Sequence, residues 1–128
     1  MSKTVKAILV EPEKAPKVIE ITNELRALQT AVGGMVEVFY PFENNEPMIC
    51  YCNEEGKYNG MEPNWVWFDE SGLVPRDVVM GPILVCGDAG DGTERSLSGT
   101  EIEFVTEFFS RNRCIGDVVK KNKIKFSK

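Results

Sequence analysis

The chain has 128 residues, of which 42% are hydrophobic and 27% charged, and it contains no run of about eighteen apolar residues. This composition indicates one soluble domain and excludes a membrane-spanning helix. The net charge of −5 divides unevenly: residues 1–110 carry eight basic and nineteen acidic groups (−11), whereas residues 111–128 carry seven basic groups and one acid (+6). Since an acidic body repels phosphates, we expect any nucleic-acid contact to be weak and to involve the basic C-terminus.

Five segments show the apolar or alternating pattern of β-strands and are bounded by turn-forming residues. In chain order these strands cover residues 5–10, 17–21, 35–40, 48–53 and 82–86. Residues 58–76 are the least regular stretch, and their turn signals predict no strand or helix. In the last residues lysine alternates with Ile124 and Phe126, which is typical of either a short edge strand or a disordered arm.

The first helix is predicted between the second and third strands. Thr22 or Asn23 is placed to cap it, and its apolar residues fall on one face as far as Val32. Gly33-Gly34 follows directly, and glycine readily takes the left-handed conformation that ends a helix.

The second helix is predicted from a capping box, because Ser98 and Glu101 have the required spacing. Its apolar stripe continues to about Asn112. This order of elements favours an α+β domain over residues 1–112, with a mostly antiparallel sheet of about five strands and two helices packed on one face. Residues 113–128 are predicted to form a basic C-terminal tail.

The four cysteines, at positions 50, 52, 86 and 114, are predicted to be reduced and buried. The printed sequence starts without the apolar core of a secretory signal, so we expect a cytoplasmic protein with free thiols. Cys50 and Cys52 lie two residues apart and therefore share one face of their strand. Histidine is absent, which leaves a four-ligand zinc site incomplete and excludes Ser-His-Asp and Cys-His nucleophiles. We therefore predict no metal, no cofactor and no enzymatic activity.

The loop from Gly87 to Thr93 is similar to a phosphate-binding loop in its glycine spacing, but it lacks the lysine that such a loop needs. Asp88 and Asp91 stand where phosphate charge would lie, and their spacing is not that of a calcium loop. We interpret the segment as a surface turn. The same two aspartates are expected to raise the pKa of the Cys86 thiol.

Two groups of residues remain as candidates for a binding site. Asn53 ends the fourth strand, and Glu54 and Glu55 follow it. These residues are explained by turn chemistry, although a role of the acids in proton transfer stays open. Aromatic residues cluster in the irregular segment, where a loop rich in tryptophan is a typical binding surface or small pocket. Tyr40 and Phe42 stand on either side of Pro41 at the end of the third strand. The candidate binding residues are Tyr40, Phe42, Asn53, Glu54, Glu55, Tyr58, Asn64, Trp65 and Trp67.

A set of short motifs over roughly residues 4–110 resembles one family. The motifs are Lys6-Ala7-Ile8-Leu9-Val10-Glu11-Pro12, Leu28-Gln29, Gly33-Gly34, Tyr40-Pro41-Phe42, Asn53-Glu54-Glu55-Gly56-Lys57, Gly60, Pro63-Asn64, Gly81-Pro82, Cys86-Gly87 and Ser96-Leu97-Ser98. Together they resemble domain-of-unknown-function family 3846, small uncharacterised proteins of Gram-positive bacteria, their phages and conjugative elements. The chain departs from the family pattern at Trp65-Val66-Trp67 and in the basic extension after Arg111. The resemblance implies a bacterial host cell and assigns no catalytic residue.

Three functions fit these observations. The first is a non-enzymatic accessory protein of a phage or mobile element that binds a host macromolecule, with inhibition of a defence system as the suggested role. The second is a small-molecule or nucleotide-binding protein that sequesters its ligand in a pocket lined by Trp65, Trp67 and Tyr40. The third is an acidic DNA mimic, which requires a contiguous stripe of carboxylates. The expected partner is a host protein; a small-molecule ligand and a weak nucleic-acid contact through the tail are the alternatives, and no membrane is expected.

Overall fold

The computed structural model describes residues 4–42 and 47–113, which form eight strands and two helices. In chain order these are β1 (Thr4–Val10), β2 (Lys17–Thr22), α1 (Leu25–Val32), β3 (Val36–Phe39), β4 (Met48–Asn53), β5 (Pro63–Phe68), β6 (Pro75–Met80), β7 (Ile83–Asp88), β8 (Glu94–Arg95) and α2 (Gly99–Phe108). Neither helix in this part of the chain is long and apolar enough to cross a membrane. Residues 114–128, and with them Cys114 and nearly all of the predicted tail, lie outside the described residues.

Six of these strands form one antiparallel sheet in the order β2-β1-β7-β4-β3, with β8 paired to the end of β7. Strands β4 and β7, in the middle of the sheet, are apolar at almost every position, and all six residues of β4 are buried. Strands of this kind must be covered on both faces. The predicted α+β class and mostly antiparallel sheet are confirmed, and all five predicted strands are present.

The two helices cover opposite faces of the sheet, which corrects the expectation that both pack on one face. Side chains alternate along each strand, so Ile8 and Val85 point to one face and Ala7 and Leu84 to the other. On the first face lie α2, which contributes Val105 to the core, and the β5–β6 pair, which contributes Trp65. On the second face α1 packs with its buried residues. Two apolar faces each need a cover, and one helix is available for each.

Each helix differs from the prediction at one of its two ends. The N-cap of α1 is Glu24, because Thr22 still pairs in β2 and the Asn23 amide instead donates to the Glu94 carbonyl at 3.2 Å. The predicted glycine stop is confirmed, since Gly33 has φ 85°. The capping box of α2 is also confirmed, but the helix ends at Phe108 rather than near Asn112.

The irregular segment contains a strand hairpin that the sequence did not predict. Strands β5 and β6 form a separate two-stranded antiparallel sheet, and their pairing shifts register between Pro63 and Trp65 and again between Trp67 and Phe68. Each shift interrupts the two-residue alternation that identifies a strand in a sequence. The hairpin folds over the α2 face of the main sheet and buries Trp65 against it.

Candidate functional site

An open groove lies where the end of β3, the β5–β6 hairpin and α2 meet. Its volume is about 560 Å³. The residues that line it are Tyr40, Pro41, Phe42, Trp65, Trp67, Phe68, Asp69, Glu70, Gly72, Arg76, Phe104, Phe108 and Asn112. We call this the aromatic groove. It brings together four of the predicted binding residues, those at positions 40, 42, 65 and 67, from two segments that are more than twenty residues apart in the sequence.

The floor of the aromatic groove is a set of rings in contact. Trp65 is 2% exposed and lies edge-on to Phe109, with ring centroids 5.0 Å apart. Phe42 packs against Phe108 at 4.8 Å in the same edge-to-face manner. Such pairs fix the positions of the rings, because the positive edge of one ring meets the negative face of the other. The floor is therefore a rigid apolar surface.

The upper wall of the groove leaves aromatic surface in contact with solvent. Tyr40 is 60% exposed and Phe104 is 39% exposed. Phe104 lies 5.4 Å from Phe42, measured between ring centroids, so the exposed ring of Phe104 is continuous with the rings of the floor. Exposed aromatic surface that adjoins a concave floor is typical of a site that binds another molecule.

The rim of the groove carries two carboxylates and one guanidinium. Asp69 accepts hydrogen bonds from the Ser71 amide at 3.0 Å and from the Ser71 hydroxyl at 2.6 Å, and these bonds lower the pKa of its carboxyl group. Glu70 follows it in the same turn. Arg76 stands over the Trp67 ring, 5.0 Å from the centroid, in a cation–π contact. The rim thus has two acids for one base and favours a cationic group on the bound molecule.

The acidic turn of the candidate set lies at a second, smaller cleft of about 240 Å³. This cleft is lined by Asn53, Glu54 and Tyr58, none of which lines the aromatic groove. The Lys57 ammonium pairs there with the Asp77 carboxylate. Burial and the carboxylate of Glu37 raise the pKa of Cys52, which also lines the cleft, to about 12, so its thiol is protonated and unreactive at neutral pH.

Asn53 has a structural role that explains the turn motif. Its amide donates to the Val32 carbonyl at 3.2 Å, and its side-chain oxygen accepts from the Glu55 amide at 2.8 Å. A Cβ atom at Gly34 would lie 2.9 Å from the Asn53 amide nitrogen, so this glycine allows the two segments to approach. Glu54 and Glu55 are both exposed on the resulting turn. The motif is accounted for by packing between the end of α1 and the end of β4.

Asn64 is also structural, since it is fully buried. Its amide donates to the carbonyl of Val10 at 2.7 Å and to that of Gly81 at 2.8 Å. These bonds connect β5 to the end of β1 and to the turn before β7. The Asn64 side-chain oxygen and the Trp65 indole nitrogen are buried with no hydrogen-bond partner among the residues that the structure describes.

The three described cysteines are free and buried, as predicted. Burial, followed by the negative charge of Glu94, raises the pKa of the Cys86 thiol to about 12. The direction agrees with the sequence prediction, but the cause is burial and Glu94 rather than the two aspartates. Within residues 4–42 and 47–113, no group of three or more cysteine and carboxylate side chains is placed to hold a metal ion.

The sequence did not predict the part of the groove that α2, β6 and the turn after β5 contribute. Phe104, Asp69 and Arg76 were not among the candidates. A signal was present for Phe104, because it stands four residues before Phe108 and so widens the apolar stripe of α2 towards the exposed side of the helix. An aromatic residue in such a position is a candidate for a binding surface.

The fold and the site define an α+β domain in which an antiparallel sheet is covered on both faces and carries an open aromatic groove on one of them. Residues 5–110 match the family described as "Domain of unknown function (DUF3846)". Since the match spans most of the 128 residues, the chain belongs to this family. Comparison with curated proteins and with solved structures returned no match.

Proposed function

We propose that the protein is a non-enzymatic binding protein and that its aromatic groove holds a segment of a host protein. The observation that carries this proposal is a continuous row of rings, from Phe104 at the solvent through Phe42 and Phe108 to Trp65 in the floor. The exposed Tyr40 lines the same groove. Exposed aromatic residues at a concave surface are the usual anchors of protein–protein contacts.

The chemistry of the groove favours a segment in which an apolar side chain is flanked by basic residues. The ring floor accepts the apolar side chain, while Asp69 and Glu70 lie at the rim for the basic ones. The family's setting supports a bacterial host, and on that basis we propose that the protein is an accessory factor of a phage or mobile element, acting in the host cytoplasm. Interference with a host defence system is the role that such a setting suggests.

A matched pair of double variants tests the proposal by quantitative capture from bacterial lysate. Tyr40→Ser with Phe104→Ser removes exposed rings from the groove, whereas Leu25→Ser with Tyr58→Ser removes exposed apolar side chains elsewhere. We expect the wild type and the second variant to retain the same host protein, and the groove variant to retain at least about ten-fold less, as the loss of two anchors predicts. Equal retention by both variants, or no specific protein on the wild type, contradicts the proposal.

The volume of the groove favours a second candidate function, the sequestering of a small molecule. About 560 Å³ lies within the range of small-molecule sites, roughly 300–1,000 Å³. Native mass spectrometry of the purified protein tests this alternative. A retained mass that Tyr40→Ser with Phe104→Ser abolishes would favour it over a protein partner. The DNA-mimic hypothesis stays a prediction, which competition for a DNA-binding protein would test.

A further inference from the structure

The chain has fifteen residues beyond the last described one, and their charge is opposite to that of the rest. The described part carries nine basic and seventeen acidic residues, a net charge of −8, whereas residues 114–128 carry five lysines and one acid, a net charge of +4. Opposite charge favours association of the two.

This segment begins beside the aromatic groove. Asn112 lines the groove, and its carbonyl accepts a hydrogen bond from the Val66 amide at 2.9 Å. Arg113 then pairs in an antiparallel bridge with Trp65 and donates to the carbonyls of Asn64 and Glu11 at 3.2 and 2.6 Å. The point from which residues 114–128 start is thus held against the hairpin that forms the groove floor.

We propose that residues 114–128 dock in the aromatic groove of their own chain and that a host partner has to displace them. Ile124 and Phe126 are apolar residues that alternate with lysines, the combination that the ring floor and the acidic rim fit. The eleven residues from 114 to Ile124 reach up to about 35 Å when extended, at roughly 3.3 Å per residue. The inference rests on the proposed function and adds an intramolecular competitor to it.

Tryptophan fluorescence of the full chain tests the docking directly, because both tryptophans of the protein line the groove. We compare the wild type with Ile124→Ser plus Phe126→Ser, and use Asn122→Ser plus Ser127→Ala as the control that keeps the apolar and basic residues. The expected result is emission at longer wavelength and acrylamide quenching increased about two-fold in the first variant only, at an unchanged melting temperature, since the half-buried Trp67 loses its cover while the buried Trp65 does not respond. Unchanged quenching overturns the proposal and assigns the tail to nucleic acid or to solvent.

A synthetic peptide of residues 118–128 provides the second measurement and guards against an indirect effect of the substitutions. Added to the Ile124→Ser, Phe126→Ser chain, it should restore the wild-type emission; added to wild-type protein, it should bind at least about ten-fold more weakly, because the tethered copy competes at high effective concentration. A peptide that binds both chains equally overturns the proposal.

The two proposals fail separately. If the tail variant captures the host protein only as well as wild type and its fluorescence is unchanged, the tail inference is wrong while groove-dependent capture still supports the binding function. If the tail docks and no protein is lost on Tyr40→Ser with Phe104→Ser, the proposed function is wrong and the docking stands.

Discussion

Asn64 joins three parts of the chain through one side chain. Its amide satisfies two buried carbonyls, those of Val10 and Gly81, that come from positions 54 and 17 residues away. A buried carbonyl without a partner costs about 1–3 kcal/mol, so the position needs a neutral donor of this length. Asn53 does the same for the carbonyl of Val32. Both asparagines are therefore required by the fold. Their presence in the family motifs is explained by these hydrogen bonds, without a role in binding a ligand.

Asn64→Asp tests this role. The change removes both donated bonds and sets a carboxylate against two carbonyl oxygens in a fully buried site, so we expect the free energy of unfolding to fall by about 3–5 kcal/mol. Urea denaturation followed by circular dichroism measures it. The exposed Asn59→Asp is the matched control and should stay within about 0.5 kcal/mol of wild type. A loss below about 1 kcal/mol for Asn64→Asp would show that the two bonds do not matter.

Gly56 is required for a different reason, which is the close approach of two backbones. A Cβ atom there would lie 2.7 Å from the Met80 carbonyl oxygen, and a backbone atom of a paired strand cannot move aside. We expect Gly56→Ala to lower the melting temperature, corresponding to about 1–3 kcal/mol. Gly99→Ala makes the same chemical change with no atom within 4 Å, at the start of α2, and should be neutral or slightly stabilising. Equal effects of the two substitutions would contradict this account.

At the scale of the elements, five of the six strands of the main sheet were predictable because each has an uninterrupted apolar or alternating pattern. Strand β4 has the bounds that the pattern predicts, residues 48–53. The hairpin was not predictable in this way, since register shifts on both sides of Trp65 and Trp67 remove the alternation. The helices lie on opposite faces because β4 and β7 are apolar on both faces, and each face has to be covered. The apolar runs of these two strands are visible in the sequence, but the prediction assumed that only one face of the sheet is covered.

The strand β8 has two residues, yet it holds the start of α2 in place. Arg95 forms a two-bond ion pair with Glu101, both N–O distances being 2.8 Å, and also donates to the Pro47 carbonyl. Its guanidinium lies so close to Gly87 that a Cβ atom there would be 2.5 Å from one of its nitrogens. Sequence patterns predict the capping box but not this pair, which depends on the turn between β7 and β8.

The ion pair gives a pH-dependent prediction. Hydrogen bonding to Arg95 lowers the pKa of Glu101 from its ordinary 4.5 to about 2. Because the pKa is lower in the folded state, the pair stabilises the protein above about pH 4.5 and loses its contribution as the pH falls towards 2. Glu101→Gln keeps the capping box and removes the charge, so we expect it to cost about 1–2 kcal/mol at pH 7.

Denaturation curves between pH 7 and pH 3 measure that prediction. The difference in unfolding free energy between wild type and Glu101→Gln should shrink steadily below about pH 4.5. Glu103→Gln, an exposed neighbour on the same helix, serves as the control. A difference that is constant with pH would mean that the charge of Glu101 does not contribute.

At the scale of the whole molecule, the site forms where separately predicted parts meet. Tyr40 and Trp67 were candidates from composition alone, but the sequence could not show that α2 supplies Phe104 opposite them, because that depends on which face of the sheet the helix covers. The predicted binding residues do not all lie at one place, because Asn53 and Glu54 line the second cleft and not the aromatic groove. Residue type thus singled out the aromatic residues that line the groove, and the arrangement of layers determined which other residues line it with them.

The charge distribution acts at this scale too. An acidic body with an acidic rim at the groove attracts basic groups and repels phosphates. Binding of a basic partner should therefore weaken as salt increases, because screening reduces the attraction between exposed charges. The aromatic contacts should be nearly independent of salt.

Site-specific photo-crosslinking in the bacterial host tests most directly whether the aromatic groove is the binding site. A benzophenone-bearing amino acid replaces Phe104 in one chain and Tyr58, which is 91% exposed and away from the groove, in another. From position 104 we predict a covalent adduct with one host protein. In the molecules that have no host partner bound, we predict instead a crosslink within the chain to residues 114–128. Position 58 should give neither product. Adducts from position 58 with none from position 104 would contradict the assignment of the groove as the functional site.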